Sequence, residues 1–132
     1  MTSRATKTGS IALVGLAGLC ALATAAGAQS RQLFGYGGVL GEWELSARVA
    51  RSAAAAGDEF FGPVTMTHVG MCTQDGPRHK TGHIRLRLST QLNAVLSMDG
   101  VTCTFTGRLS DAYKGRLECT DSEPVPLSLW VE

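Results

Sequence analysis

Four residues that can bind a transition metal lie close together in the middle of the chain. All three histidines, His68, His79 and His83, fall within sixteen positions, and Cys72 lies among them. Imidazole and thiolate are ligands of zinc and copper, and the two spacings of four residues suit a chelating loop. No Cys-x-x-Cys or His-Glu-x-x-His motif accompanies them. We therefore expect exposed loop histidines, with a metal-binding protein as the alternative function.

A second group of residues could bind an anion. Five basic residues alternate with apolar ones and are predicted to project from the face of a sheet opposite its core, namely Arg85, Arg87, Arg108, Lys114 and Arg116. Such a surface could bind a polysaccharide, a nucleic-acid strand or an acidic protein. No aromatic residues interleave with them for base stacking, so we expect no nucleic-acid partner. The alternative interpretation is an ordinary solvated sheet face.

Residue patterns typical of enzymes are missing from the sequence. It contains no nucleophile elbow, no phosphate-binding glycine loop ahead of a helix and no paired carboxylates in a recognisable setting. We expect a protein that is not an enzyme and needs no cofactor.

Residues 1–28 have the three parts of a secretory signal peptide. Arg4 and Lys7 give a positive start, residues 11–25 are mostly apolar, and Ala26-Gly27-Ala28 supplies the small residues of a cleavage site. The apolar run is short for a membrane anchor and is interrupted by glycine. We expect cleavage after Ala28, export to the bacterial periplasm or the cell exterior, and no membrane span after processing.

Cleavage would also change the charge of the chain. The full sequence has twelve Lys and Arg against eleven Asp and Glu, and the removed segment contains two of the basic residues and no acidic one. A nearly neutral protein has no overall field that would attract nucleic acid or an anionic membrane. About a hundred residues remain, enough for one domain with a single core.

The elements that position these residues are predicted to be strands. Residues 29–40 are polar and then rich in glycine, and we predict a flexible lead-in there; residues 41–132 form a single domain. Alternation of apolar and polar residues within that domain predicts six strands, with a seventh near Phe60. Consecutive hairpins with one apolar face make an all-β antiparallel meander, closed as a small barrel or folded as a sandwich.

Two turns fix the register of the predicted hairpins. Asp99-Gly100 is a signal for a two-residue type I′ turn, which would pair Met98 with Val101 and Ala94 with Phe105. A three-residue turn at 110–112 would continue the meander. Every inward-facing pair across the first hairpin then joins apolar residues, or an apolar residue and glycine, and a slip by one residue would destroy this agreement.

Three cysteines remain after the predicted cleavage, so at least one has no internal partner. Cys103 and Cys119 are directly opposed in the predicted register, whereas a bridge from Cys72 to Cys119 would join the first part of the sheet to the last. The residues favour neither bridge over the other, and a bridge from Cys72 to Cys103, or none, are the remaining possibilities.

The aromatic residues are the last candidates for a binding site. They are Trp43, Phe60, Phe61, Phe105, Tyr113 and Trp130, and we expect them to fill the core rather than line a ligand cavity. The Gly41-x-Trp43 opening, the up-and-down strand order and the final strand with Trp130 resemble the calycin group, the lipocalins and avidins. The basic residue expected near the chain end of that group is absent, and no ligand or residue role is implied.

Together these patterns predict a small exported β-barrel or sandwich that acts as a binding module. Its partner would be a protein or a small-molecule ligand. The metal-binding protein described above is the alternative.

Overall fold

The computed structural model describes residues 29–52, 58–69 and 78–132. In these ranges the chain forms eight strands: β1 (Ser30–Gly37), β2 (Trp43–Arg51), β3 (Glu59–His68), β4 (His79–Leu88), β5 (Gln91–Met98), β6 (Val101–Leu109), β7 (Tyr113–Cys119) and β8 (Val125–Val131). Each strand pairs antiparallel with its neighbours in sequence, and β8 pairs with β1 to close a barrel. The all-β meander is thus confirmed in its barrel form, with eight strands.

The prediction of a flexible lead-in at residues 29–40 is wrong where β1 lies. This strand pairs with both β2 and β8 and is required for closure. Its inward side carries Leu33, Gly35 and Gly37, so most of the apolar signal of a strand is missing there. A Cβ on Gly35 would collide with the side chain of Leu129. Glycine therefore makes room for β8 at this position and does not indicate a loop.

The predicted register of the hairpins from β5 to β7 is confirmed. Met98 pairs with Val101 and Ala94 with Phe105 across the first turn. At that turn Asp99 has a φ of 48° and Gly100 a φ of 79°, as both central residues of a type I′ turn require. The inward positions of this part of the barrel are therefore apolar, and the outward ones are polar except at Val95; Leu109, at the end of β6, is also exposed.

The barrel interior is filled by its own side chains. The largest fully buried residues include Phe105, Leu33 and Leu45, and buried apolar residues from all eight strands form one cluster. Such a filled interior is usual for a barrel of eight strands. The described residues include no helix that is long and apolar enough to cross a membrane.

The expectation that the aromatic residues fill the core is confirmed only in part. Phe60, Phe105 and Tyr113 are buried, but Phe61 and Trp130 are 44% and 38% exposed. Each of these two follows a buried residue in a strand, and successive side chains of a strand point to opposite faces. They therefore lie on the outer wall.

Cys103 and Cys119 form a disulfide bond between β6 and β7, with their Cα atoms 4.0 Å apart. This pairing leaves neither residue free for the alternative bridges to Cys72. Cys72, the predicted signal peptide at 1–28 and the segments 53–57 and 70–77 lie outside the described residues.

Candidate functional site: a basic groove on the barrel wall

The predicted basic residues lie on one wall of the barrel. They project outward from β4, β6 and β7, and all are exposed; they are Arg85, Arg87, Arg108, Lys114 and Arg116. The register places one row of side chains across this wall, because Arg87 is opposite Asn93, Asn93 is opposite Thr106, and Thr106 is opposite Arg116. Two cations on β4 thus face three cations on β6 and β7 across a polar strip.

This polar strip is the floor of a shallow groove. Two adjoining depressions of about 340 and 430 Å³ share Thr104 and Thr106 as lining residues. Asn93 and the exposed Val95 complete the floor, and Asn93 Oδ1 accepts a hydrogen bond of 3.2 Å from the Thr106 hydroxyl. Hydroxyl and amide groups at these positions can exchange hydrogen bonds with a polar ligand. We call the two depressions together the basic groove.

On the β4 side, one carboxylate serves both guanidinium groups. Glu59 Oε1 lies 3.3 Å from Arg85 Nε, and Glu59 Oε2 lies 3.7 Å from Arg87 Nη2. The two arginine side chains are 65% and 72% exposed, so their outer N–H groups can still reach a ligand. One carboxylate against two guanidiniums leaves this wall with a net positive charge.

On the β7 side, the cations are also incompletely neutralised. Lys114 Nζ lies 2.8 Å from Asp111 Oδ1. Hydrogen bonds lower the pKa of Asp111 to about 2, and the bond from Lys114 contributes more than the bond from the Ser110 hydroxyl. Arg116 donates only to a backbone carbonyl, that of Pro124. Within the described ranges Arg108 has no carboxylate within ion-pair distance. Glu118, also exposed on β7, lines the same depression, so the three cations of this side stand against the two carboxylates of Asp111 and Glu118 and keep a small net positive charge that can attract an anion.

The expectation of loop histidines is wrong, because His68 lies in β3 and His79 and His83 lie in β4, and the three do not converge. His68 is the last residue of β3, and its ring packs edge-on against Trp43, with 4.7 Å between centroids. His79 faces outward and shares a hydrogen bond of 3.0 Å with Thr67, and His83 stacks on Phe61 at 5.4 Å on the outer wall. In the part of the chain that the structure describes, no three His, Cys, Asp or Glu side chains are grouped as metal ligands.

A smaller depression of about 220 Å³ lies at the mouth of the barrel. Its apolar lining includes Trp43, Met66 and Met98, and Lys80 lies at its edge. The Lys80 ammonium is 5.2 Å from the centroid of the Trp43 ring, so a cation of the chain itself already occupies that ring face. The filled core behind these residues keeps the mouth shallow.

One surface feature was not predicted from the sequence, a group of aromatic residues across the join between β8 and β1. Phe34, Tyr36 and Trp130 all point outward there, and Phe34 is directly opposite Trp130. The alternation of Phe34 and Tyr36 with Leu33, Gly35 and Gly37 is the signal that could have revealed it.

The basic groove is the site in which sequence and structure agree best. No protein-family model matches the chain, and no curated protein matches it either.

Proposed function

We propose that the protein is an exported binding module, without catalytic activity, that holds an acidic segment of a partner protein in the basic groove. The observation that carries this proposal is the placement of cations on both sides of a floor that is polar apart from the exposed Val95. Potentials of opposite sign on two partners steer their encounter and fix their relative position. An acidic chain laid along the groove would meet Arg87 and Arg116 on its two flanks in one row of the register, whereas in the next row Arg85 is opposite Glu118.

The spacing of the cations suits an extended peptide. Arg85 and Arg87 are two residues apart on one strand, which separates them by about 6.8 Å, and the same holds for Lys114 and Arg116. Side chains at alternate positions of an extended peptide have the same repeat. Each flank can therefore pair with acidic residues at positions i and i+2 of a bound segment.

The width of the groove is also suitable. From β4 to β7 there are three steps of about 4.8 Å, or about 14 Å in all. One extended chain with side chains on both sides fits between these flanks. A filled barrel with its charge on the outer wall supports a macromolecular partner over a small ligand enclosed in the barrel.

Two features support export. The N-terminal 28 residues have the composition of a signal peptide, and the Cys103–Cys119 disulfide belongs to an oxidising compartment such as the bacterial periplasm or the cell exterior.

Fluorescence anisotropy with a labelled peptide of alternating Glu and Thr tests the proposal. Loss of one exposed ion pair weakens binding by up to about 1 kcal/mol, so the Arg85→Gln/Arg87→Gln variant should raise the dissociation constant of the peptide about tenfold. Raising the salt from about 0.05 M to about 0.5 M should weaken binding to the unaltered protein as well. A peptide of alternating Gln and Thr should not bind.

The matched control is Arg31→Gln/Arg48→Gln, which removes the same charge from β1 and β2, outside the groove. Equal losses in both double variants would show that only net charge matters and would contradict a groove. Polygalacturonate, an acidic polysaccharide, serves as a competitor. If it binds more tightly than the peptide and responds to the same substitutions, the assignment to a partner protein is wrong.

A further inference from the structure

The outer wall carries an aromatic surface that the basic groove does not use. Phe34 and Tyr36 on β1 are 42% and 50% exposed, and Trp130 on β8 is 38% exposed. The rings of Tyr36 and Trp130 meet edge to face, with 6.2 Å between centroids. Exposed apolar side chains are ordinary when scattered singly, but adjoining aromatic rings on a sheet face are typical of a contact surface. We call these three residues the seam aromatics.

Charges of opposite sign flank the seam aromatics at equal distances. One row of the register runs from Lys114 through Ser128 and Tyr36 to Glu44. The join between β8 and β1 lies at the centre of this row, so the cation on β7 and the carboxylate on β2 are the same number of strands from it. Both are exposed. The surface therefore has a positive edge and a negative edge about an aromatic centre.

A surface of this kind is complementary to itself. Consider a two-fold axis that lies on the outer surface of the wall, in the plane of contact between two copies, and runs parallel to the strands between β8 and β1. Rotation about it exchanges the two sides of the join, and so sets Trp130 of each copy against Phe34 of the other. The same rotation sets Lys114 of each copy against Glu44 of the other. A symmetric dimer repeats every such contact twice.

We propose that the seam aromatics are the centre of a symmetric dimer of this chain, closed at its edges by ion pairs between Lys114 and Glu44 of opposite copies. The curvature of the barrel restricts close contact to the strands at the centre, where the aromatic rings lie. Farther out the two walls diverge, and the long side chains of lysine and glutamate span the gap. In a single copy these two residues are separated by three strand steps, about 14 Å, too far to pair; Lys114 there lies 2.8 Å from Asp111, so Glu44 of the other copy would be a second carboxylate on the same ammonium.

Sedimentation equilibrium on the protein purified from the exported fraction tests the dimer. The unaltered protein should have twice the mass of one chain, and Phe34→Ser/Trp130→Ser should have the mass of one chain while keeping the circular dichroism spectrum of the barrel. Lys114→Glu and Glu44→Lys alone should each raise the dimer dissociation constant at least about tenfold, because each places like charges together at both edges.

Mixing the two charge-reversed proteins gives the sharpest result. A dimer of one Lys114→Glu chain and one Glu44→Lys chain has opposite charges at both edges, so the mixture should recover the affinity that each protein lacks alone. Arg87→Glu, on the far side of the barrel, is the control and should leave the dissociation constant unchanged. A protein with the mass of one chain at every concentration would overturn the proposal, and so would a dimer whose charge-reversed chains show no recovery on mixing.

Discussion

Reduction of the Cys103–Cys119 bond should lower the stability of the barrel by an amount that the loop length sets. The two cysteines are 16 residues apart in sequence. Closing a loop of that size removes conformational entropy from the unfolded chain worth about 3 kcal/mol. Urea unfolding of a small domain has a slope of about 1 to 3 kcal/mol per M, so reduction should lower the unfolding midpoint by about 1 to 3 M.

The assay compares urea unfolding with and without dithiothreitol. Reduction breaks the bond but leaves the side chain of the buried Cys103 intact. Removal of a sulfur by mutation would add a packing loss to the entropy effect. Cys72→Ser is the control for connectivity and should respond to the reductant as the unaltered protein does. A midpoint that reductant leaves unchanged would refute the loop-entropy reasoning, and a Cys72→Ser protein that no longer responds would refute the pairing.

Two further predictions concern β7 and the turn before it. Gly115→Val should destabilise the barrel by more than about 3 kcal/mol in urea unfolding, because its Cβ would collide with the backbone carbonyl of Thr106. The control is Arg116→Val at the neighbouring, exposed position, which should change the free energy of unfolding by less than about 0.5 kcal/mol. Equal effects of the two substitutions would contradict the close approach of the strands. Asp111 should titrate by NMR with a pKa of about 2, and Lys114→Gln should raise that pKa toward the ordinary 3.8. The pKa of Asp111 is lower in the folded state than in the unfolded state, so the stabilisation by ionised Asp111 is present above pH 3.8 and is lost as the pH falls toward 2. An Asp111 pKa that does not respond to Lys114→Gln would contradict this account.

The hairpins from β5 to β7 could be predicted residue by residue because two independent signals agree there. Asp99-Gly100 sets the turn, and the alternation of apolar residues on both sides admits only one register. The opposition of Cys103 and Cys119 follows from that register. The choice between the two leading disulfides did not follow, because it depends on where Cys72 lies, and no local pattern of the sequence fixes that position.

The first strand could not be predicted, because glycine replaces the apolar residues that normally mark the inward face of a strand. Two of its three buried inward positions are glycine, and their role depends on Leu127 and Leu129, which are distant in sequence and fill the space beside them. A glycine-rich segment indicates a loop when it is considered alone. Only closure of the barrel, which pairs the first strand with the last, shows why these positions have no side chain.

The candidate sites illustrate the same distinction between local and long-range information. The outward direction of Arg85 and Arg87 follows from alternation within one strand, so it could be predicted. Their link to Glu59 depends on the pairing of β3 with β4, and no short turn fixes that register in the sequence. Polar residues and glycine around the histidines predict a loop, and only the pairing of β3 with β4 shows that they lie in strands, which direct His68 and His83 to opposite faces.

The position of the two proposed surfaces around the barrel makes them separable in experiment. The join between β8 and β1 is opposite β4 and β5 in a closed ring of eight strands, so a dimer formed there leaves Arg85 and Arg87 exposed on each copy. Substitution of these arginines should weaken peptide binding without changing the mass of the assembly, and Phe34→Ser/Trp130→Ser should do the reverse. Lys114 alone belongs to both surfaces, to the groove as a flank and to the dimer as an edge. A dimer would present its two grooves on opposite sides, so a partner with two acidic segments would gain affinity from it only if its linker spans both barrels.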